Sequence, residues 1–281
     1  MSKKMRKFGV EIELSSGDFS AMQTEISQYN QGVANDQRWT FKYEHCGREI
    51  VSPILQGKKG LEALETIMKI VKRNNGRVST SCGLHVHLDI TEWGQQGTET
   101  LIENAKRFTK LYAKYEDGID SIMPESRKRM NNQFCYGYKR NNYASEKRGV
   151  AGMFEKIDAI SNYDQLKQFQ NWSSHGSFRY SKVNWYAFEK HSTVEVRHHS
   201  ATTQWKKLKN WVLFLLGFIA VAEKRNTIAP VNRQQTALGC HMTNSNYANE
   251  RLDHQIDRMM KLAGADAEMK QYFKNRSNQM R

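Results

Sequence analysis

Three stretches of the chain alternate apolar and polar residues at a spacing of two. In FGVEIEL, Phe8, Val10, Ile12 and Leu14 fall on one side and Glu11 and Glu13 on the other. In CGLHVHLD, Leu84, Val86, Leu88 and the following Ile90 oppose His85, His87 and Asp89. In STVEVRHH, Val194 and Val196 oppose Thr193, Glu195, Arg197 and His199. Period two is that of a strand with one face in the core, so these segments predict three strands, each with a polar pair on its other side. Shorter strands are expected around Trp39 to Glu44, at Arg48 to Ser52 and around Val183 to Phe188.

Helical spacing takes over elsewhere. It predicts helices from Lys58 to Asn75, closed by Gly76, across Thr98 to Asp120, near Tyr163 to Trp172, and from Gln204 to Lys224. One or two amphipathic helices are expected between Asn249 and Lys274. The stretch from Pro124 to Gly152 is rich in Asn, Tyr, Lys and Arg without periodicity, which predicts a loop region over a substrate. Strands and helices do not alternate as βαβ units, so an α+β fold with a mainly antiparallel sheet is expected. Three prolines and no low-complexity linker leave no clear boundary. A catalytic region over 1–225 is expected, with 226–281 as a helical extension packed on the same domain.

Composition narrows the class. The 281 residues, 38% of them hydrophobic, suffice for one enzyme-sized core. The basic start is followed at once by an acidic strand pattern, unlike a signal peptide. The greasy run WVLFLLGFIAVA, Trp211 to Ala222, falls short of the ~20 residues of a bilayer span and is read as a buried helix. Cys46, Cys82, Cys135 and Cys240 show no CxxC pairing, so a reducing, cytoplasmic setting is expected, without membrane association. The net charge of +14 favours an anionic partner, such as nucleic acid, a nucleotide or an acidic polymer, without choosing among them.

A polar strand face is ordinarily just the solvent face. Three such faces in one chain, joined by Glu49 of CGREIVSP, are a different matter. Neighbouring strands lie about 4.8 Å apart and residues i and i+2 roughly 7 Å apart, so adjacent strands would gather four carboxylates and two imidazoles. In a chain with surplus positive charge, such a concentration of acids calls for a divalent cation. Carboxylate oxygens suit Mg²⁺ or Mn²⁺ and tolerate an imidazole. Zinc is the competing metal, through His85, His87 and Cys46 or Cys82. The arginine two residues after Glu195 points to an anionic ligand between metal and guanidinium, a task that suits phosphate.

The segments FGVEIEL, CGREIVSPIL, CGLHVHLD, MPESRKRMNNQFC, RYSKVN and HSTVEVRHHSATTQWKKLKNWVLF, in this order from Phe8 to about Ala222, resemble the amidoligase family. That family is part of the glutamine synthetase and glutamate–cysteine ligase superfamily of carboxylate–amine ligases. The resemblance implies a curved antiparallel sheet with helices on one face, holding ATP and Mg²⁺ or Mn²⁺. It implies a ligase that joins an amine to a carboxylate activated as an acyl phosphate. Carried over motif by motif, Glu11, His85 and Glu195 would hold the ion bridging the phosphates. Glu13 and Glu49 would hold the ion nearer the acceptor carboxylate. His87 would stand near the phosphates, Arg197 would neutralise the transferred phosphoryl group, and Arg179 and Asn184 would line the same pocket. One position departs: Ala201 precedes Thr202 where the family usually has glycine, which matters if that turn needs a positive φ.

Other residues are open to blander readings. Arg127 and Arg129 match the family segment but are equally at home in a solvated loop. Cys82 and Cys46 suit packing, Trp205 and Trp211 suit the core, and His175, His191, His198, His241 and His254 show no ligand spacing. Two rival functions stand beside the ligase: a metal-dependent hydrolase or nuclease using the same acids and histidines, and a basic nucleic-acid-binding protein. The basic surface also suits recruitment of a polyanionic or peptide-like substrate to a ligase site.

Overall fold

Strand β1 (Phe8–Leu14) runs through the middle of a six-stranded sheet with β2 (Thr40–Glu44), β3 (Gly47–Val51), β4 (Gly83–Asp89), β5 (Val183–Asn184) and β6 (Thr193–Ser200). The order is β2-β3-β1-β4-β6-β5, and every pairing is antiparallel. The computed structural model describes residues 5–128, 134–138, 149–169, 179–229 and 245–280. Arg129, Trp172, His175, Cys240, His241 and much of the expected loop after Pro124 lie outside the described residues.

The period-two pattern becomes two physical faces. Phe8, Val10, Ile12, Leu14, Leu84, Val86, Leu88, Val194 and Val196 are all buried. Full burial of each stabilises by roughly 1.5–3 kcal/mol, which fixes the register: a slip by one residue would turn the glutamates into the core. Against this face pack α2 (Gly57–Arg73) and α9 (Trp205–Lys224), whose Leu64, Ile67, Val71, Leu208, Trp211 and Leu215 join the strands in one core.

The remaining helices are α1 (Phe19–Gln31), α3 (Thr91–Gln95), α4 (Thr98–Lys114), α5 (Glu116–Asp120), α6 (Gly149–Asp158), α7 (Tyr163–Phe169), α8 (Ala187–His191), α10 (Ser245–Leu262) and α11 (Ala267–Met280). Helix α4 packs on α9, as does α10. At Gly217 of α9 an added Cβ would collide with the Ala263 carbonyl oxygen, so glycine permits the close approach of the chain after α10.

Several expectations need correction. Helix α1 was not expected: Met22 and Ile26 are buried, Phe19 and Tyr29 pack partly buried beside them, and Asp18 caps it by accepting the Ala21 N–H at 2.9 Å. The long helix expected to Asp120 breaks at Tyr115 into α4 and α5. The strand expected over Val183 to Phe188 is two residues long and turns into α8. Helix α2 closes on Asn75, at φ 54°, with Gly76 donating to Val71 O at 2.8 Å in a Schellman-type end.

His199 does not lie on the face expected for it. Val86 pairs with Val196, yet Leu84 pairs with His199, so β6 carries one extra residue in a bulge opposite His85. His199 therefore shares the core face with Leu84, packed 5.1 Å from the Trp211 ring, and is not on the polar face with Glu195 and Arg197. Ala201, in contrast, sits comfortably: among the described residues only Asn75 and Ser192 are non-glycines with positive φ, and Ala201 N–H donates to Cys82 O at 3.0 Å.

Candidate functional site

The strand registers bring the polar pairs together. Across β1 and β4, Glu11 faces His85; across β4 and β6, His87 faces Glu195; across β5 and β6, Asn184 faces Glu195. On the other flank Glu13 faces Glu49, which in turn faces Lys42 of β2. One sheet face thus carries Glu11, Glu13, Glu49, His85, His87 and Glu195.

Glu11 is the centre of this patch. Its Oε2 lies 3.0 Å from His85 Nδ1, and its Oε1 3.5 Å from His87 Nε2. Two groups could each converge on one cation: Glu11 with Glu49 and His85, and Glu11 with His87 and Glu195. His85 Nδ1 is also 3.5 Å from Glu195 Oε1, so it stands between the two groups. Glu13 belongs to neither: its Oε2 accepts the Gly83 N–H at 2.6 Å and the Cys46 thiol at 3.5 Å, while Oε1 is 3.7 Å from His85 Nε2.

Other side chains hold these in place. Glu195 accepts Arg197 Nη1 on Oε1 at 2.5 Å and Asn184 Nδ2 on Oε2 at 2.6 Å. Arg197 also donates from Nε to Phe134 O at 3.5 Å. Phe134 meets the Tyr180 ring edge-to-face, and the neighbouring Arg179 is exposed, its guanidinium 5.6 Å from the Tyr180 ring centre. Lys42 Nζ sits 2.7 Å from Glu49 Oε2. His87 Nδ1 is 2.9 Å from Thr193 Oγ1, which fixes the ring so that Nε2 looks toward Glu11. Asp89 is committed elsewhere, accepting the Thr91 N–H at 3.0 Å at the start of α3.

The electrostatics reflect crowding. Burial acts to raise the pKa of Glu11, but contact with His85 and His87 outweighs it and holds the carboxyl well below the usual range. Burial also opposes ionisation of Glu195, and Arg197, then His85 and His87, keep it low. Glu49 goes the other way: burial first, then repulsion from Glu11, push it up to about 7 against the pull of Lys42. His87 is raised: burial opposes its charge, and the contact with Glu11 and the charge of Glu195 prevail.

These residues fit a divalent cation. The donors are carboxylates and imidazoles, the set suited to Mg²⁺ or Mn²⁺, and no thiol enters either group among the described residues. His87 Nε2 is buried without a hydrogen bond of good geometry, which is the state of a ligand atom awaiting a partner. A cation would also relieve the repulsion between Glu11 and Glu49.

Sequence reasoning missed Thr193 in its supporting role, Lys42, and Gly83. Lys42 and Gly83 become visible only through the cross-strand register. At Gly83 an added Cβ would lie 2.7 Å from His85 Nε2, so the glycine makes room for the imidazole. His198, left without a role, is buried in a separate network behind the sheet. Its Nδ1 is 2.7 Å from Tyr112 Oη and its Nε2 2.7 Å from Asp120 Oδ1. The fully buried Lys182 Nζ completes this network, 2.5 Å from Asp120 and 3.0 Å from Glu116.

No described helix is long and apolar enough to cross a membrane. No curated protein matches the chain in sequence. Among solved structures, a bifunctional glutathione synthetase from Pasteurella multocida is similar, with a TM-score of 0.47 and 12% identity over 98% of this chain and 47% of that one. The chain thus spans about half the length of that protein. The family model described as "Putative amidoligase enzyme" matches residues 27–219, a region that holds Glu49, His85, His87, Asn184, Glu195 and Arg197 and begins after β1. With more than half of its length matched, the chain belongs to the amidoligase family.

Proposed function

We propose that the protein is an ATP-dependent carboxylate–amine ligase that forms an amide bond through an acyl phosphate, on a sheet used as in glutamine synthetase. The observation that carries this reading is the sharing of Glu11 by two cation-sized groups on one sheet face. Two ions at one carboxylate suit phosphoryl transfer, in which charge must be neutralised on both sides of the moving group.

In this reading Glu11, His85, Glu195 and Glu49 are metal ligands, with Glu13 on the Glu49 side. His87 is the further ligand beside Glu195, because its buried Nε2 makes no hydrogen bond and lies 3.5 Å from Glu11 Oε1. Mg²⁺ or Mn²⁺, when bound, screens the phosphates and polarises the phosphoryl oxygens. Asn184 and Arg197 keep Glu195 ionised and aimed. Arg197 also presents its remaining donors to the phosphoryl group, and Arg179 lines the outer part of the pocket. Lys42 neutralises Glu49 until a cation replaces it.

The test is calorimetric titration of a non-hydrolysable ATP analogue, with and without Mg²⁺, into the wild type and Glu195→Ala. Mg²⁺-dependent binding that is lost in the variant supports the reading, and ADP release on pooled amines and acids then identifies substrates. Absence of binding to the wild type, with Mn²⁺ still bound, would turn the assignment to metal-dependent hydrolysis.

A further inference from the structure

Arg127 is buried to 3% exposure at the end of a 3₁₀ turn, Glu125–Arg127, that packs against β6. Its Nη2 makes a long hydrogen bond to Ser81 O at 3.3 Å, and its Nε is buried with no partner. It forms no ion pair with any described carboxylate. Gly83 shows where it lies: the point where a Cβ would stand is 2.7 Å from His85 Nε2 and 3.4 Å from Arg127 Nη2. The guanidinium therefore borders the same space as the imidazole of a candidate metal ligand.

A buried charge without a counter-ion is costly, and proteins avoid it unless the partner arrives with a ligand. Arg197 makes the contrast plain, since its Nη1 is already committed to Glu195. The planar fork of an arginine matches the oxygens of a phosphate or a carboxylate. We infer that Arg127 is the site's oxyanion seat: it binds an oxygen of the transferred phosphoryl group or of the acceptor carboxylate beside His85. This deepens the ligase reading, on which it rests for the source of the oxyanion but not for the existence of the seat.

The experiment compares wild type, Arg127→Met and Arg127→Lys by titration calorimetry with inorganic phosphate, succinate, and Mg²⁺ with either AMP-PNP or ADP. Mn²⁺ affinity and the thermal midpoint serve as controls. The expected result is a roughly ten- to hundredfold loss of anion affinity in Arg127→Met with Mn²⁺ binding preserved, the size of a lost charge-assisted hydrogen bond. Loss for AMP-PNP but not ADP assigns the seat to the transferred phosphoryl; loss for succinate with both nucleotides unchanged assigns it to the acceptor carboxylate. Unchanged binding of phosphate, succinate and AMP-PNP in a folded Arg127→Met, or no binding of any of them by the wild type, overturns the inference. Phosphate binding that needs Arg127, in a protein that binds no nucleotide, leaves the seat standing and removes the ligase reading. If Arg127→Met does not fold, the Nε–H resonance of Arg127, identified through Arg127→Lys, is followed in arginine-labelled wild type. A saturable shift on adding phosphate supports the seat, and none overturns it.

Discussion

Glu11 stands directly opposite His85 in the β1–β4 pair, with 3.0 Å between its Oε2 and His85 Nδ1, while its Oε1 faces His87 at 3.5 Å. One carboxylate between two imidazoles spaced i and i+2 on the neighbouring strand can bridge two cations. No other glutamate in the patch belongs to both groups.

Glu11→Gln is therefore expected to remove both metal positions at once, whereas Glu195→Gln removes one. Mn²⁺ stoichiometry by titration calorimetry or spin resonance checks this. Affinity in Glu11→Gln should fall by more than the roughly 100-fold that changes around a metal ligand can cost. On the ligase reading proposed above, ATP turnover should fall with it while the far-ultraviolet spectrum is unchanged. Two ions still bound by Glu11→Gln would mean that the groups do not share it.

Thr193→Val keeps the shape of the side chain and removes the partner of His87 Nδ1. The ring loses its fixed orientation and tautomer, so metal affinity should drop roughly 10- to 100-fold with the thermal midpoint little changed. Thr193→Ser, which restores a hydroxyl, should recover most of it. Equal Mn²⁺ affinity in wild type and Thr193→Val would show that His87 is not a ligand.

Much of this site was legible because β1 and β4 alternate cleanly and every alternating apolar residue is buried. Spacing alone puts Glu11 with Glu13, His85 with His87, and Glu195 with Arg197 on the polar side of their own strands; gathering them on one patch needed the further expectation that these strands are neighbours. What spacing cannot carry is register, which decides that Lys42 reaches Glu49 and that Glu195 stands beside His87 and Asn184. Nor can it reveal the bulge that sends His199 into the core, since the extra residue looks like continued alternation. Helix α1 escaped because its core face is thin, with Met22 and Ile26 buried, Phe19 and Tyr29 only partly so, and polar residues between them. Arg127 looked like loop charge because burial of a guanidinium leaves no mark in the sequence.

Gly83→Ala tests the packing around His85. The new Cβ would come within 2.7 Å of His85 Nε2, so the imidazole must move. Overpacking of this kind costs about 1–3 kcal/mol of stability. The larger effect is expected on function: the displaced ring should weaken Mn²⁺ binding and abolish turnover in a protein that still folds. Wild-type Mn²⁺ affinity in Gly83→Ala would count against His85 as a ligand.

The network behind the sheet sets an acid limit on stability. Burial first, then the charge of Lys182, depress the pKa of His198 to about 4, against an unfolded value of about 6.5. The unfolded chain therefore takes up a proton between about pH 6.5 and 4 that the folded protein refuses. The contribution is fully present above pH 6.5 and is lost as pH falls through this window, by about 3 kcal/mol in all. Asp120, whose ionisation burial opposes, is held low by Lys182 and then His198, so the same network loses further stability at still lower pH. Urea unfolding at a series of pH values measures the slope. His198→Asn should be less stable at pH 7 yet flatter between pH 6.5 and 4. Lys182→Met, which removes the buried cation beside Glu116 and Asp120, should cost about 3–5 kcal/mol at pH 7. An unchanged slope in a folded His198→Asn would mean that another histidine governs the acid limit.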